Sequence, residues 1–265
     1  MEKRLVVIMA FASMWVAAIG FRLVRLQVRD HDVLKEHAEH QQQAPIEVSP
    51  IRGLIFDRDG RELARSVTVK SLYAVPARIS NAGALADKLS VLLDMDRDPL
   101  FKRLTSGIGL VVVKRKLTDR EVADVQALGL PAAELQFIDE QKRFYVNGSS
   151  ASQVLGFVDI DERGQSGVEQ SLDRMVRGRG ARVIEDVDAL KKPYDQEDDG
   201  SVPGDNVTLT IDTVLQSDIE QALADAVKAN GAKAGTVVIV RPATGEILAM
   251  ASYPTFNPND VARSS

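Results

Sequence analysis

Arg52-Gly-Leu-Ile-Phe-Asp-Arg-Asp-Gly-Arg-Glu-Leu-Ala64 is the stretch that decides the fold of this chain. Its Asp59-Gly60 pair is a strong hairpin signal, because glycine adopts the positive φ that tight hairpin turns require. Gly53 permits a second tight turn, and the arginine and aspartate side chains of the stretch can interlock through charge-assisted hydrogen bonds. The stretch alone fits an ordinary β-hairpin equally well, so its neighbours along the chain must decide whether the charges matter.

A second run, Arg143-Phe-Tyr-Val-Asn-Gly-Ser-Ser-Ala-Ser-Gln-Val-Leu-Gly-Phe157, predicts a turn that leads into a short helix. We expect Gly148 to start this helix and Gly156 to end it, since glycine is favoured in turns and directly after helix ends.

A third run, Gly164-Gln-Ser-Gly-Val-Glu-Gln-Ser-Leu-Asp-Arg-Met-Val-Arg-Gly-Arg-Gly180, predicts a helix that ends in glycine-containing turns. Glu169, Asp173 and Arg177 recur at intervals of four residues, which places them on one helix face. Such a face can join the helix to neighbouring strands through ion pairs. A solvated charged face has the same spacing, so the pattern leaves both alternatives open.

Between residues 45 and 200 the sequence predicts a β-rich domain with a small α+β insertion. Short β-like runs over residues 46–48, 54–56 and 72–75 are broken by proline and glycine turns. The insertion is predicted to contain a helix over residues 85–93, a short helix over 99–104, a strand over 110–113, a helix that starts at the capping box Thr118-Asp-Arg-Glu121, and a strand over 135–138.

The acidic, turn-rich stretch Asp195-Gln-Glu-Asp-Asp-Gly-Ser-Val-Pro-Gly204 predicts a domain boundary. Beyond it we expect a strand from Val207 to Ile211, a helix capped by Asp212, and a hairpin of residues 236–240 and 246–251. The helix is predicted to carry one apolar face, made of Leu215, Ile219, Leu223 and Val227.

The amino-terminal segment predicts a membrane anchor. Residues 5–21 carry no charge, and basic residues flank them on both sides: Lys3, Arg4, Arg22, Arg25 and Arg29. A helix of this length rises roughly 25 Å, and it spans the hydrocarbon core once the arginine side chains snorkel. We expect a retained transmembrane helix in preference to a cleaved signal peptide, whose apolar core is shorter. The flanking charges leave the orientation open.

Composition excludes several classes of function. The net charge of -5 and the pI near 5.4 argue against a nucleic-acid partner, because phosphate binding needs a basic surface. The absence of cysteine excludes disulfides and thiolate metal sites. His31, His37 and His40 lie in the polar linker 27–44 at spacings that scatter them around a helix. We therefore expect no metal site, and nothing in the sequence implies an organic cofactor.

Taken in order, the three runs, the segment Leu209-Thr-Ile-Asp212 and the segment Thr244-Gly-Glu-Ile-Leu-Ala-Met-Ala-Ser-Tyr-Pro254 resemble the amino-terminal part of class B penicillin-binding proteins. Val146 stands where that family usually has proline, and the last glycine of the third run comes one place early. The resemblance spans nearly the whole chain. The motif positions that carry it are Arg52, Gly53, Asp57, Arg58, Gly60, Arg143, Tyr145, Gly148, Gly156, Gly167, Glu169, Arg177, Gly178, Asp212, Thr244, Gly245 and Glu246.

The resemblance implies an α+β fold with four parts. These are a cytoplasmic tip and transmembrane helix (1–26), a juxtamembrane linker (27–44), a β-rich dimerisation or pedestal domain with an α+β insertion (45–200), and the first helix and two strands of a β-lactamase-like transpeptidase domain (201–265). It further implies a single-pass protein of the cytoplasmic (inner) membrane whose bulk is periplasmic. Its expected partners are membrane proteins of cell-wall synthesis or division, including a glycan polymerase.

The family's catalytic motifs, Ser-x-x-Lys, Ser-x-Asn and Lys-Thr-Gly, do not occur in this sequence, and Ser66 stands four residues before Lys70. We assign no catalytic residue and expect a fragment of a longer enzyme that cross-links peptidoglycan peptides. Those peptides and β-lactams are expected ligands of the intact protein only. The alternative is a naturally short, non-catalytic scaffold that binds cell-wall synthesis or division proteins. The motif order fits a division role and an elongation role equally.

Overall fold

The computed structural model describes residues 14–15, 46–106, 109–131, 133–180, 182–184 and 201–261. Within these ranges no helix combines the length and the apolar composition needed to cross a membrane. Most of the predicted anchor, the predicted linker with its three histidines and the acidic boundary segment 195–200 lie outside the described residues.

The strands are β1 (Ile46–Val48), β2 (Ile55–Phe56), β3 (Glu62–Ala74), β4 (Val111–Lys114), β5 (Leu135–Tyr145), β6 (Arg182–Ile184), β7 (Val207–Thr208), β8 (Gly235–Val240) and β9 (Ile247–Tyr253). The α-helices are α1 (Ala82–Leu92), α2 (Arg97–Ser106), α3 (Asp119–Ala127), α4 (Ser152–Leu155), α5 (Gly167–Ser171), α6 (Asp173–Val176), α7 (Thr213–Ala229) and α8 (Pro258–Val261), with a 3-10 turn at Pro76–Arg78. The mixture of helices and strands agrees with the predicted α+β class.

The central sheet is organised around the long strand β3. Strands β4, β3, β2 and β7 follow one another across the sheet, and β5 also pairs with β3. The β3 and β5 strands are antiparallel from Ala64 opposite Tyr145 to Ala74 opposite Leu135. The β7 strand runs parallel to β2, with Val207 opposite Ile55. Strand β7, from the second half of the chain, therefore adds to the sheet beside the first strand of the motif hairpin.

The predicted lengths of β3 and β5 were wrong. The sequence favoured strands only at residues 72–75 and 135–138, whereas the strands extend over Glu62–Ala74 and Leu135–Tyr145. The reason is that polar side chains occupy buried positions on both strands, including Ser71, Glu140 and Arg143. Strand pairing uses backbone groups, so it persists where the side chains give no hydrophobic signal.

Helices α1, α2 and α3 pack with β3 and β4 into the main apolar core. Leu89, Leu100 and Leu104 are almost completely buried there, and burial of each contributes about 1.5–3 kcal/mol. The predicted capping box of α3 is confirmed, since the Glu121 amide donates to the Thr118 hydroxyl at 3.3 Å and the Thr118 amide donates to the Glu121 carboxylate at 2.7 Å.

The helix and strand pair predicted after residue 211 are also present. Asp212 accepts hydrogen bonds from the Val214 and Leu215 amides and caps α7. Leu223 and Val227 pack against β8 and β9, which pair antiparallel. The strand predicted over residues 207–211 is shorter and ends at Thr208.

Two predicted helices differ in detail. The helix of the third run is broken at Leu172 into α5 and α6, so Glu169, Asp173 and Arg177 do not form one continuous helix face. The helix of the second run begins at Ser152, well after Gly148. Gly148 instead lies in the turn that follows β5, while Gly156 ends α4 as predicted.

Candidate functional site

The motif hairpin is held together by the buried carboxylate of Asp57. Its Oδ1 accepts hydrogen bonds from the Asp59 and Arg61 amides, at 2.9 and 2.8 Å. Its Oδ2 accepts from the Arg61 guanidinium at 3.1 Å and from the Thr213 hydroxyl at 2.6 Å. Burial alone raises the pKa of Asp57, but these hydrogen bonds outweigh it and lower that pKa to about 2. Asp57 therefore stays ionised and links the hairpin to the start of α7.

The sequence suggested that Arg52 pairs with the aspartates of its own motif, but it does not. Its fully buried guanidinium uses all five N–H donors on distant parts of the chain. Nε and Nη2 donate to Oε2 of Glu169 at 3.1 and 2.6 Å, and Nη2 also donates to the Glu169 carbonyl at 3.3 Å. Nη1 donates to Asp173 at 2.7 Å and to the Glu162 carbonyl at 2.6 Å.

Glu169 joins the first and third runs to the second. Its Oε1 accepts from Nε of Arg143 at 2.6 Å, so the carboxylate lies between two buried guanidiniums. Nη1 of Arg143 donates to the Gly53 carbonyl at 2.7 Å. Because Glu169 has no exposed surface, the ion-pair alternative is confirmed at Glu169, and Asp173 also pairs with Arg52. Arg177 is not part of these ion pairs. Arg52, Arg143, Glu169 and Asp173 are called the buried charge network below.

The network continues to Glu162 and Lys116, which the sequence did not indicate. The ammonium of Lys116 donates to Oε1 of Glu162, and the Arg143 amide donates to the same oxygen at 3.2 Å. Burial raises the pKa of Glu162, although Lys116 opposes that rise. Glu162 adopts a left-handed backbone with φ of 61°, a rare conformation for a side chain other than glycine.

Gly53 is required because two backbones approach closely beside the network. A Cβ at Gly53 would lie 1.9 Å from the Asp205 carbonyl oxygen. The Gly53 amide donates to the Val176 carbonyl at 2.8 Å, which fixes the motif stretch against α6. The first glycine of the motif therefore serves a close contact rather than the tight turn expected from the sequence.

A second group of polar contacts joins residues 52–180 to residues 201–261, and we call it the junction. Asn259 accepts from the Tyr145 amide at 3.0 Å and donates to the Tyr145 carbonyl at 2.9 Å, which extends the end of β5. The Ala151 amide donates to the Glu220 carboxylate of α7 at 2.8 Å. Together with the Asp57–Thr213 contact, these bonds fix α7 and α8 to the motif region.

Gln216 ties α7 to the strand pair. Its buried amide donates to the Met250 carbonyl at 2.7 Å and accepts from the Met250 amide at 2.8 Å. The turn between β8 and β9 is formed by the predicted segment, with Gly245 at φ of 76° and its amide bonded to the Arg241 carbonyl. Glu246 pairs with Arg241 at 2.8 Å.

The remaining predicted motif residues lie apart from the network and act locally. Arg58 bonds the Ile211 carbonyl through its backbone amide, and Gly60 forms the hairpin turn. Gly167 and Gly178 have positive φ and approach neighbouring backbones. Arg177 lines a separate surface cleft.

No hydrolytic constellation is formed among the described residues that were considered as candidates. Ser66 donates to the Arg52 carbonyl, whereas Lys70 pairs with Asp139 at 2.9 Å. The Arg52 donors are all used, so this guanidinium is not available to a substrate. Across the described ranges no group of three or more acidic or histidine side chains is arranged to hold a metal ion. The network is suited to fixing segments, not to catalysis.

Known proteins resemble this chain over most of its length. Residues 47–209 match the family described as the Penicillin-binding Protein dimerisation domain. The chain is 34% identical over 268 residues to the probable peptidoglycan D,D-transpeptidase PenA of Neisseria meningitidis, covering 97% of this chain and 45% of PenA. It is 33% identical to the peptidoglycan D,D-transpeptidase FtsI of Escherichia coli, covering 92% of this chain and 43% of FtsI. The chain belongs to the class B penicillin-binding proteins.

Solved structures agree with this assignment. The crystal structure of a peptidoglycan synthetase from Bifidobacterium adolescentis matches with a TM-score of 0.52 and 25% identity, over 84% of this penicillin-binding protein and 46% of that chain. Penicillin Binding Protein 2X from Streptococcus thermophilus, at 22% identity and a TM-score of 0.51, shows the same fold. The chain thus spans somewhat less than half the length of the relatives that it matches.

Proposed function

We propose that this chain is the amino-terminal part of a membrane-anchored peptidoglycan D,D-transpeptidase. In this proposal residues 45–200 form a pedestal, and residues 201–265 begin the domain that carries the reactive serine in the intact protein. That serine would be acylated by a peptidoglycan peptide. A β-lactam would acylate the same serine and form a longer-lived acyl-enzyme. The names of the relatives as D,D-transpeptidases support the proposal.

The junction is the observation that carries this proposal. Motif residues of the first two runs bond directly to α7 and α8, through Asp57–Thr213 and Tyr145–Asn259. A domain that starts with α7, β8 and β9 is thereby held in a fixed position on the pedestal. Transpeptidation requires that a reactive side chain be held steadily with respect to its substrate, and a rigid base supplies this.

The exposed face of the strand pair also supports a larger following domain. Val238, Val240 and Ile247 are 48, 45 and 36% exposed, on strands whose other face packs against α7. Soluble proteins rarely expose large contiguous apolar patches, and these side chains lie on paired strands, with Val240 opposite Ile247. Further strands or helices of the transpeptidase domain would cover this face.

The proposal is tested by labelling membranes with a fluorescent penicillin and probing the same gel with an antibody to residues 46–200. We expect one band that carries both signals and migrates well above 28.9 kDa. An antibody-positive band at that mass without label would refute the enzyme proposal for this product. It would favour the non-catalytic scaffold instead.

A junction variant makes the test specific to the pedestal contact. In the labelled protein, Asn259→Ala removes both bonds to the Tyr145 backbone, and we expect slower acylation by penicillin because the following domain is less firmly placed. Asn230→Ala is the matched control, since the Asn230 side-chain amide donates to the Ala226 carbonyl, a contact local to the end of α7. Equal acylation rates in the two variants would contradict a positioning role for the junction.

We further propose that residues 5–21 anchor the protein in the cytoplasmic membrane with its bulk outside, beside membrane proteins of cell-wall synthesis or division. The uncharged length of this segment supports the anchor. Membrane pellets washed with alkaline carbonate should retain the full chain and release a variant that lacks residues 1–44. Externally added protease should digest residues 45–265 in spheroplasts. A full chain that washes off would refute the anchor. A full chain that is protected from protease in intact spheroplasts would refute the proposed orientation.

A further inference from the structure

A surface cleft of about 520 Å³ is lined by three arginines of the third run, Arg174, Arg177 and Arg179. Within the described ranges none of these three guanidiniums forms an ion pair or a hydrogen bond. Arg177 is one of the motif positions, yet it does not belong to the buried charge network. The cleft, called the arginine cleft below, therefore contains a motif residue whose role the network does not explain.

Positive charge exceeds negative charge at the arginine cleft. The acidic residue of its lining, Asp173, is already used, since it accepts from Arg52 at 2.7 Å and from the Gly164 amide at 2.9 Å. An exposed carboxylate lies on the neighbouring segment at Asp205, whose amide donates to the Met175 carbonyl at 2.9 Å. Three guanidiniums outnumber this one carboxylate. The buried network and its extension add no net charge, because three cations are balanced by three anions: Arg52, Arg143 and Lys116 by Glu169, Asp173 and Glu162.

The backbone that carries the arginines is fixed. Arg179 and Val202 exchange two backbone hydrogen bonds, at 2.9 and 2.8 Å. Gly178 has a φ of 81°, and a Cβ at this position would lie 2.5 Å from the Val202 carbonyl oxygen. Glycine is required there by the conformation and by the close approach. The backbone positions of the arginines are therefore set before any ligand arrives, which lowers the entropy cost of binding.

Exposed apolar side chains lie on the same segments. Met175 and Val202 are 51 and 57% exposed, and Ile51, which follows the cleft residue Pro50, is 51% exposed. The Gly204 amide donates to the Ile51 carbonyl at 2.9 Å, which joins the segment of Ile51 to that of Val202. Attachment to a bilayer surface gains from burial of apolar area and from attraction between basic side chains and anionic lipids. This part of the protein offers both.

The arginine cleft is also close in sequence to the predicted anchor. Ser49 and Pro50 line it, and β1 begins at Ile46, directly after the predicted linker 27–44. A linker of that length spans at most about 65 Å when fully extended. The predicted anchor would therefore keep a bilayer surface within reach of the cleft.

We propose that the arginine cleft binds the phosphate groups of anionic phospholipids at the bilayer surface. Guanidinium groups bind phosphate oxygens through paired N–H donors. Each arginine near an anionic surface strengthens attachment about fivefold. The position directly after the predicted linker favours the bilayer over an acidic protein partner. The inference rests on the proposed function only in that the anchor brings the chain to a membrane.

The test places a single fluorescent probe beside the cleft, which is straightforward because the chain contains no cysteine. The full chain with Met175→Cys is labelled with an environment-sensitive nitrobenzoxadiazole dye. It is reconstituted in vesicles of phosphatidylcholine alone, or of equal parts phosphatidylcholine and phosphatidylglycerol. We expect a blue shift of the emission only with phosphatidylglycerol. The shift should disappear in high salt, since the Debye length falls to about 3 Å at 1 M.

The control probe is Val91→Cys, at an 85% exposed position of α1, and its emission should not respond to phosphatidylglycerol. The absence of a shift at position 175 would overturn the proposal. An equal shift in both kinds of vesicle would also overturn it, because the anionic head group would then not be recognised.

Charge variants assign the effect to the cleft. One variant carries Arg174→Gln, Arg177→Gln and Arg179→Gln. It should abolish the shift, because about fivefold weaker attachment for each arginine amounts to roughly a hundredfold. The matched control removes three positive charges from exposed positions of α1, α2 and α3, with Lys88→Gln, Lys102→Gln and Arg120→Gln. This control should keep the shift, and both variants should keep the wild-type melting curve. Equal loss of the shift in the two variants would overturn the assignment to the cleft.

Separate measurements distinguish this inference from the anchor. Alkaline carbonate washing of the same vesicles reports whether the chain is anchored. A chain that stays in the washed vesicles while the probe shows no shift overturns the lipid contact and leaves the anchor standing. A chain that shows the shift but washes off supports the lipid contact and refutes the anchor. A shift in native membranes but not in protein-free vesicles would assign the surface to an acidic protein and overturn the proposal.

Discussion

Glu169→Gln should be strongly destabilising, although it changes one oxygen to a nitrogen of similar size. Glu169 accepts three side-chain hydrogen bonds shorter than about 3.2 Å from two buried guanidiniums, Arg52 and Arg143. The amide nitrogen of glutamine is itself a donor and would face an arginine N–H. The negative charge between the two guanidiniums would also be lost. Asp173 would remain as a partner for Arg52.

Breaking a buried pair by removing one partner costs about 3–5 kcal/mol, a large share of the roughly 5–15 kcal/mol that a domain possesses. At roughly 2–4 °C per kcal/mol for a domain of this size, the melting temperature should fall by about 6–20 °C. The assays are thermal unfolding, which gives the melting temperature, and urea unfolding, which gives the free energy of unfolding, both followed by far-UV circular dichroism. Tryptophan fluorescence is unsuitable, because the single tryptophan, Trp15, lies in the predicted anchor.

The control for this prediction is Asp139→Asn, which removes an exposed ion pair with Lys70 whose side chains are 45 and 59% accessible. Exposed pairs contribute about 1 kcal/mol or less, so Asp139→Asn should change the free energy of unfolding by no more than that. If Glu169→Gln is no more destabilising than Asp139→Asn, the buried charge network does not stabilise the fold, and the reasoning is refuted.

Three further predictions concern stability and can be measured by the same method. Asp57→Asn should remove the stability that the wild type loses as pH falls from about 4 to 2, because the Asp57 pKa is lowered to about 2 when folded; an unchanged acid-unfolding curve contradicts it. Thr118→Ala should cost about 1 kcal/mol through loss of the capping box. Gly53→Ala should be severely destabilising, because the added Cβ would lie 1.9 Å from a backbone carbonyl oxygen. Its control is Gly83→Ala in α1, where the nearest atom to the added Cβ is 3.6 Å away. This control should leave stability unchanged or raise it by about 0.5–1 kcal/mol.

Local chemistry was predictable from the sequence. The Asp59-Gly60 turn, the capping box at Thr118 and the Asp212 cap all occur as expected. Each depends on residues within three positions of one another, so a short stretch contains all the information that is required. The order of the motif runs also predicted the family correctly. The anchor and the domain boundaries remain predictions.

Long-range pairing could not be predicted in the same way. Arg52 binds Glu169 across 117 positions, and nothing near Arg52 identifies that partner. The sequence instead offered nearby aspartates, two of which pair with Arg61. Glu162 and Asn259 were missed because a single polar residue outside a long periodic element carries no pattern. An arginine at the start of a motif whose nearby aspartates lie beside other arginines was the signal that could have prompted a search for a distant carboxylate.

The buried charge network explains why the three runs are informative together and weak alone. The first run supplies Arg52, the second Arg143 and the third Glu169, and each group is buried. A buried charge without its partner is costly, so no two of the runs can reach a stable arrangement without the third. Such dependence favours cooperative folding over partly assembled states. It also fixes β5 in place, and the end of β5 carries the junction with Asn259. The same constraint that unites the motifs therefore positions the junction through which the following domain is proposed to be held.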